Sequence, residues 1–529
     1  MPQADLILIN GNIITMDPKR PKAGCVAVGC GRILAVEERK HSLVESSDAA
    51  VIDLHGKTVV PGFIDAHVHG VSLGSSLSRI NLRGVKSINE IQKMVQKRVE
   101  TTSDRVWIIG RGWDQDLLSE NRYPTKWDLD KVSPHNPVLL YRTCGHVCVV
   151  NSKALEIAGI DAESHFKELP RDQIDLDSNS GEPTGILREN ALKLIGDVLP
   201  KSSSDELTGL CLAACQKMIE EGITTVHWII NSPKELQILS SLEKRNLVPQ
   251  HIYLLIPVEY LDHIVSLGLT TGFGNNRLRI GCVKVMADGS LGGRTAALEE
   301  PYTDLPTSRG VLLLSQEQLE KIIQITHSGG LQLAIHAIGD RTIGIVLETL
   351  KNVIKSPQEM DHRHRIEHAS VLNPRLIKKM RNLGVIASIQ PHFITSDFWI
   401  NERLGKARAR WTYALKSLLE NNIPTVAGSD APVEPVSPLK GICAAVTENA
   451  TPSENLTVDQ ALRLYTINGA YASFEENVKG SIEVGKVADF IVLSEDPYKI
   501  EPEQIKEVKV EKTIVAGEIV YDRESHHFP

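Results

Sequence analysis

The chain is 529 residues long, 42% apolar and 23% charged, with 58 basic against 66 acidic residues and a net charge of −8. That mix excludes a disordered or fibrous chain, and the absence of a basic bias argues against nucleic acid or an anionic membrane as partner. No apolar run approaches the roughly 18 residues that a membrane span needs, and Met1-Pro2-Gln3-Ala4-Asp5 lacks the cationic start of a secretory leader, so a cytoplasmic protein is expected.

The chain opens with short apolar runs broken by Gly, Asn and Asp: Asp5-Leu-Ile-Leu-Ile-Asn10, Gly31-Arg-Ile-Leu-Ala35 and Val51-Ile-Asp-Leu54. These read as strands joined by tight turns. From Val59 to Ala66 a strand leads into Asp65-Ala-His67-Val-His69. The stretch from about Leu82 to Pro200 mixes Gly, Pro, Trp and polar residues and is too long for a single crossover, so it predicts an insertion at the barrel mouth. Beyond it, apolar runs Thr224–Ile230, His251–Ile256, Ile280–Val285, Leu331–Ile335, His364–His368, Val385–Gln390 and Thr425–Ser429 alternate with helical patterns. Ser315-x-x-Gln318 and Thr457-x-x-Gln460 are capping-box candidates, Asn373-Pro374 opens another helix, and Gly222, Gly329 and Gly384 fall where such patterns stop.

Strand-like runs return from Gly480 through Ala488-Asp-Phe-Ile-Val-Leu493 to Thr513–Val520. The two ends are each too small to bury a core alone and are expected to pair in one sheet domain. The predicted fold is therefore α/β: a (β/α)8 TIM-like barrel over residues 59–478 with an insertion at about 82–200, plus a small β-sandwich built from 1–58 and 479–529. Eight cysteines in so long a chain read as structural thiols of a reducing compartment rather than a disulfide framework.

His67 and His69 sit two apart on a strand, so both imidazoles face one side and can ligate one divalent ion. His336, His368 and Asp430 each stand where an apolar strand run gives out, and in a parallel barrel those strand ends meet at one mouth. Lys284, inside Gly281-Cys-Val-Lys284-Val-Met-Ala-Asp288, is costly to bury charged. Two readings stay open for it: a neutral amine able to form a carbamate that bridges metals, or a lysine salt-bridged to Asp288 or an incoming Asp. Asp340 is either a ligand-orienting carboxylate or a helix cap.

These motifs carry a resemblance. Pro61-Gly-Phe-Ile-Asp-Ala-His67-Val-His69, Val283-Lys284-x-x-x-Asp288-Gly-Ser, His336-Ala-Ile-Gly-Asp340, Glu367-His368-Ala and Gly428-Ser-Asp430 resemble the strand motifs of the amidohydrolase superfamily, in the branch that includes N-substituted formamide deformylases. The resemblance implies two divalent metals, zinc by expectation. His67, His69 and Asp430 would hold one and His336 and His368 the other, with carboxylated Lys284 and a hydroxide bridging them. The implied reaction is hydrolysis of a non-peptide C–N bond in a small amide, formamide or cyclic amide by that hydroxide, with Asp430 as the proton carrier. Trp113, His146 and Arg188 resemble pocket segments of the branch, with packing inside the insertion as the other reading for each, and His392 follows a strand at a depth suited to substrate contact. His41, His263 and His526 are assigned to the surface.

Rival readings are a deaminase-type or single-metal hydrolase on the same fold, and a non-catalytic scaffold, whose signature would be lost ligands. Gly70-Val-Ser72-Leu-Gly74 fits the G-x-S-x-G elbow of another hydrolase class, but that class leaves His67, His69, Lys284 and Asp430 unexplained. A homodimer is compatible with the sequence and not specified by it.

Overall fold

The computed structural model describes residues 3–38, 49–161, 173–200, 203–354, 361–447 and 451–525. His41 and His526 lie outside the described residues, whereas His263 is exposed. The chain forms two compact units: residues 1–71, 208–288 and 296–529 make the first, and 72–207 with 289–295 make the second.

In the first unit the apolar runs become eight parallel strands: β1 (Phe63–Val68), β2 (Ile223–Ile229), β3 (His251–Pro257), β4 (Leu278–Met286), β5 (Gln332–Ala337), β6 (Arg365–His368), β7 (Ile386–Ile389) and β8 (Thr425–Ala427). Each pairs with its sequence neighbour in one eight-stranded sheet. A parallel bridge between Val68 and Ala431, just past β8, brings the last strand back to the first. This is the barrel that eight alternating strand and helix patterns predict.

The helices between the strands carry the expected local signals. Ser315 and Gln318 form a capping box at Gln316–Ser328, as do Thr457 and Gln460 at Val458–Leu464, and the Asn373 side chain caps Pro374–Leu383. Gly384 ends that helix with φ +63°, and Gly222 has φ +79°. Gly329 is the C-cap of Gln316–Ser328, as expected, and the left-handed residue is the next one, Gly330, with φ +68°. No helix among the described residues is long and apolar enough to cross a membrane.

The first unit also holds two sheets from the chain ends. One has the order Arg32–Glu37, Cys25–Gly29, Leu6–Ile9, Ala50–Asp53; the other runs Glu518–Asp522, Val510–Val515, Phe490–Leu493, Thr58–Pro61, Asn12–Ile14, Lys22–Ala23. Phe490–Leu493 pairs antiparallel with Thr58–Pro61, which ties the two ends of the chain together. Leu8, Val26 and Ile33 of the first sheet share one buried core with Ile13, Val59, Phe490 and Ile514 of the second.

The run Val59–Ala66 is not one strand, as expected, but two. Thr58–Pro61 belongs to the six-stranded end sheet and Phe63–Val68 to the barrel, with Gly62 between them donating to the Asp489 carbonyl. A continuous apolar run cannot report that its halves enter different sheets. Gly70 of the G-x-S-x-G match begins the helix Gly70–Ser78, and a Cβ there would lie 2.0 Å from the Trp228 ring, so close approach accounts for this glycine.

The second unit is built on a mixed sheet ordered Ile174–Leu176, Pro183–Arg188, Val147–Val150, Val138–Arg142, Ile108–Trp113, Ile80–Asn81. One face packs on the helix Ile88–Val99 through Ile91, Val95, Trp113, Val138 and Val149. None of the eight cysteines is in a disulfide; Cys30 is exposed and Cys144 half-buried, so the reading of all eight as structural thiols does not extend to Cys30.

Gly62 is a stringent position. An added Cβ would lie 2.2 Å from Thr224 Oγ1 and 2.8 Å from Thr224 Cβ, where nothing flexible can yield. Gly62→Ala is expected to destabilise the protein by about 1–3 kcal/mol. Denaturant unfolding checks this: the midpoint should fall at constant slope, and an unchanged midpoint would refute the tight passage between the two sheets.

Candidate metal centre

Every metal-ligand candidate lies in the first unit, on or just beyond a strand end. His67 and His69 come from the end of β1, Lys284 from β4, His336 from β5, His368 from the last position of β6 and Asp430 from just past β8. The Nε2 atoms of His67 and His69 lie 3.3 and 3.2 Å from the same Asp430 oxygen, Oδ1. One donor atom from each of His67, His368 and Asp430 falls within 4.8 Å of the others. The His336 and His368 rings are 4.4 Å apart, and Lys284 Nζ lies 3.5 Å from His67 Nε2.

Two of these residues reach the cluster through unusual backbone. His368 has φ +72° and Asp430 φ +55°, a left-handed conformation that costs a non-glycine residue about 1–3 kcal/mol and that collects at functional sites. Each turns its side chain inward at the point where its strand ends.

Burial sets much of the electrostatics. It pushes His368 down to about 3 and lowers His69, leaving neutral imidazoles. It also lowers the Lys284 amine below the usual lysine range, against the pull of Glu367 and Asp430. Burial opposes ionisation of Asp430 as well, but the adjacent His67 and His69 outweigh it and hold this carboxyl well below the usual range. At His67 burial and Lys284 are outweighed by Asp430 and Glu367, which raise it.

Lys284 is 5% exposed and forms no ion pair among the described residues. The alternative pairing with Asp288 is not made. That carboxylate accepts instead from the Ile338, Gly339 and Ala297 amides and the Thr342 hydroxyl, tying the loops after β4 and β5. Asp340 fills neither of its expected roles. Gly339 occupies the cap position of Asp340–Val353, and Asp340 accepts from the Glu299 amide.

Partners not read from the sequence complete the cluster. Glu367 Oε2 lies 2.5 Å from His67 Nδ1, Gln390 Oε1 lies 2.6 Å from His368 Nδ1, and Asp65 Oδ1 accepts from the amides of His67 and Ser429. The available signal was Arg365-Ile-Glu367, two charges on one face of an apolar strand. Met286 lies two residues beyond Lys284 on the same face of β4, stands in register with His336 and is 37% exposed. The Phe393 ring lies 6.1 Å from His368.

The substrate-contact candidates divide. His392 is buried in the first unit, two residues beyond Gln390. Trp113, His146 and Arg188 belong to the second unit. Trp113 is fully buried in that unit's core, its indole N–H donating to the Leu140 carbonyl and its ring edge-on to Tyr123. A side chain so enclosed packs rather than touching substrate, which corrects its assignment. Arg188 forms two hydrogen bonds to Asp175 and covers the Tyr123 ring, while half-buried His146 pairs with Glu189 at 2.9 Å.

The imidazole and carboxylate donors fit a divalent ion of the zinc type. Two imidazole nitrogens already converge on one carboxylate oxygen, and Nδ1 of both His67 and His368 is turned away to a hydrogen-bond partner.

A profile of the amidohydrolase family matches residues 50–521. YtcJ of Bacillus subtilis is 34% identical over 501 residues, covering 92% of this chain and 93% of that protein. N-substituted formamide deformylase of Arthrobacter pascens is 27% identical over 543 residues, covering 98% of each. The crystal structure of an uncharacterized metal-dependent hydrolase from Pyrococcus furiosus superposes with a TM-score of 0.76 at 35% identity, covering 93% of this chain and 100% of that one.

If these donors bind an ion only when folded, the ion stabilises the fold by mass action. Zinc at 100 times its dissociation constant should add about 2.7 kcal/mol. Thermal melts of metal-stripped and zinc-loaded protein check this; coincident melts would exclude the cluster as a metal site.

Proposed function

The chain belongs to the amidohydrolase family of metal-dependent hydrolases, and from that premise we propose that it hydrolyses a non-peptide C–N bond in a small amide, formamide or cyclic amide. The observation that carries this reading is the convergence of His67, His69 and His368 on Asp430, with the buried amine of Lys284 beside them. His67, His69 and Asp430 would hold one divalent ion, and His336 with His368 a second, with zinc favoured by the donor types. Bound there, such ions polarise a carbonyl and acidify water enough to supply a nucleophile at neutral pH.

The chain's own residues account for the remaining steps. Asp430 is ionised because its imidazole neighbours outweigh its burial, so its carboxylate can take a proton from water and deliver it to the leaving nitrogen. Lys284, with its amine pushed towards the neutral form, can add carbon dioxide at Nζ with loss of a proton. The resulting carbamate would be a carboxylate, and Lys284 in that form would add an anionic oxygen donor to those of the histidines and Asp430. Met286 and Phe393 are apolar side chains beside the ligand set and suit a substrate with an apolar substituent. Similarity to a formamide deformylase puts N-substituted formamides first among candidates. His146, Arg188 and His392 remain candidate substrate contacts, and the two end sheets are read as a β-sandwich.

The close grouping of His67, His368 and Asp430 favours one further reading, a single-metal hydrolase. Metal analysis of active protein separates the two, with two equivalents against one.

His67→Ala and Asp430→Ala should each abolish measurable turnover, with a loss in kcat of at least about 10²–10⁴-fold for Asp430, while unfolding stays cooperative. The assay is a panel of amides, formamides and cyclic amides that scores released amine, formate and ammonia separately. Retained turnover in either variant would overturn the site, and ammonia as the only product would favour a deaminase. Lys284→Ala should lose at least one metal equivalent, with a short carboxylic acid restoring part of the activity. An unmodified Lys284 amine in active protein carrying two metals would refute the carbamate.

A further inference from the structure

Beneath the ligand set, five fully buried side chains form one hydrogen-bonded chain across the barrel interior. Arg365 Nε donates to Glu367 Oε1 at 2.7 Å, and NH1 donates to His227 Nδ1 at 2.8 Å. NH2 reaches Glu367 Oε2 at 3.2 Å, the Ala66 carbonyl at 2.7 Å and Ser388 Oγ at 2.9 Å. Ser388 Oγ in turn donates to Glu367 Oε2 at 2.8 Å, the same oxygen that lies 2.5 Å from His67 Nδ1. One guanidinium thereby links β1, β2, β6 and β7, and His67, Arg365, Glu367, Ser388 and His227 are all inaccessible to solvent.

Donor chemistry fixes the protons in this chain. A guanidinium only donates, so His227 Nδ1 accepts and its proton sits on Nε2. An ionised carboxylate only accepts, so His67 Nδ1 must donate to Glu367, which leaves Nε2, on the side of Asp430 and His69, as the nitrogen that can give its lone pair to a metal ion once any proton there is displaced. We propose that Arg365 and Glu367 are positioning residues: the Arg365 fork holds the Glu367 carboxylate in one orientation, and Glu367 holds His67 in the tautomer and rotation that present Nε2 to a metal ion. Stability alone is a poor reason for the arrangement, because a buried ion pair is often replaced by apolar side chains at no loss. Lysine could supply the charge, but not the planar fork that bonds Glu367 through two nitrogens while reaching His227 and Ala66.

The inference rests on the metal-centre reading, and its test has readouts that separate the two. Zinc affinity of metal-stripped wild type, Glu367→Gln and Arg365→Lys is measured by competition with a chromophoric chelator, alongside metal-free melts and ¹⁵N spectra of histidine-labelled protein. Both variants should bind zinc about 10–100-fold more weakly, and metal-free wild type should carry a proton on His67 Nδ1. Glu367→Gln should populate the Nε2–H tautomer, because a glutamine can offer its amide donor to Nδ1. A merely structural role would lower the metal-free melting temperature and leave zinc affinity unchanged, and that result would overturn the proposal. If neither variant folds, the wild-type spectrum decides, and an unprotonated Nδ1 overturns it. Wild type that binds no zinc would sink the metal centre itself, while the His67 tautomer would still decide the relay.

Discussion

The seam where the end of β8 meets β1 is held by a few short hydrogen bonds made by the same residues that make up the candidate metal centre. The Asp430 amide donates to the His67 carbonyl at 2.7 Å, and the His69 amide donates to the Ala431 carbonyl at 2.9 Å. Asp65 Oδ1 accepts from the amides of both His67 and Ser429, across 364 residues of sequence in the second case. Closing the barrel and bringing Asp430 to His67 are therefore one event. The approach is close enough to require glycine at position 428, where a Cβ would lie 2.6 Å from the His67 nitrogen.

The second constraint is charge. A barrel interior that takes in Arg365, Glu367, Lys284 and Asp430 with several imidazoles gives up hydrophobic stabilisation and incurs desolvation for each ion. Complete pairing limits that cost at Arg365 and Glu367, which satisfy each other and four neighbouring groups. The left-handed backbone at His368 and Asp430 adds strain at the same mouth. Apolar strands elsewhere in the barrel, together with the separate core of the end sheets, offset a site that is costly in itself.

The second unit treats polar groups in a similar way for a different end. Arg142 is fully buried yet bonded to Asp114 at 2.7 Å and Gln115 at 2.8 Å, next to the core that encloses Trp113. The expectation of substrate contact at Trp113 comes only from its resemblance to a pocket segment of the family branch. Ile108–Trp113 is instead a strand with Trp113 facing its own helix layer. Whether a large aromatic packs or binds depends on what stands opposite it.

Residue order alone determined the alternation of eight apolar runs with helices, the capping boxes at Ser315 and Thr457, and the placing of six ligand-type residues at or near strand ends. These are local properties: backbone periodicity, end-capping hydrogen bonds and side-chain chemistry all act within a few residues. Only the tertiary structure decided that Val59–Ala66 divides at Gly62, that Asp288 ties loops instead of pairing with Lys284, and that Trp113 is core. It alone revealed Glu367, Arg365 and Gln390 as the partners behind the imidazoles. The His67–Glu367 contact joins residues 300 positions apart, and Arg365–His227 joins residues 138 apart. Such partners are set by strand order and register across a closed sheet, which no local pattern encodes.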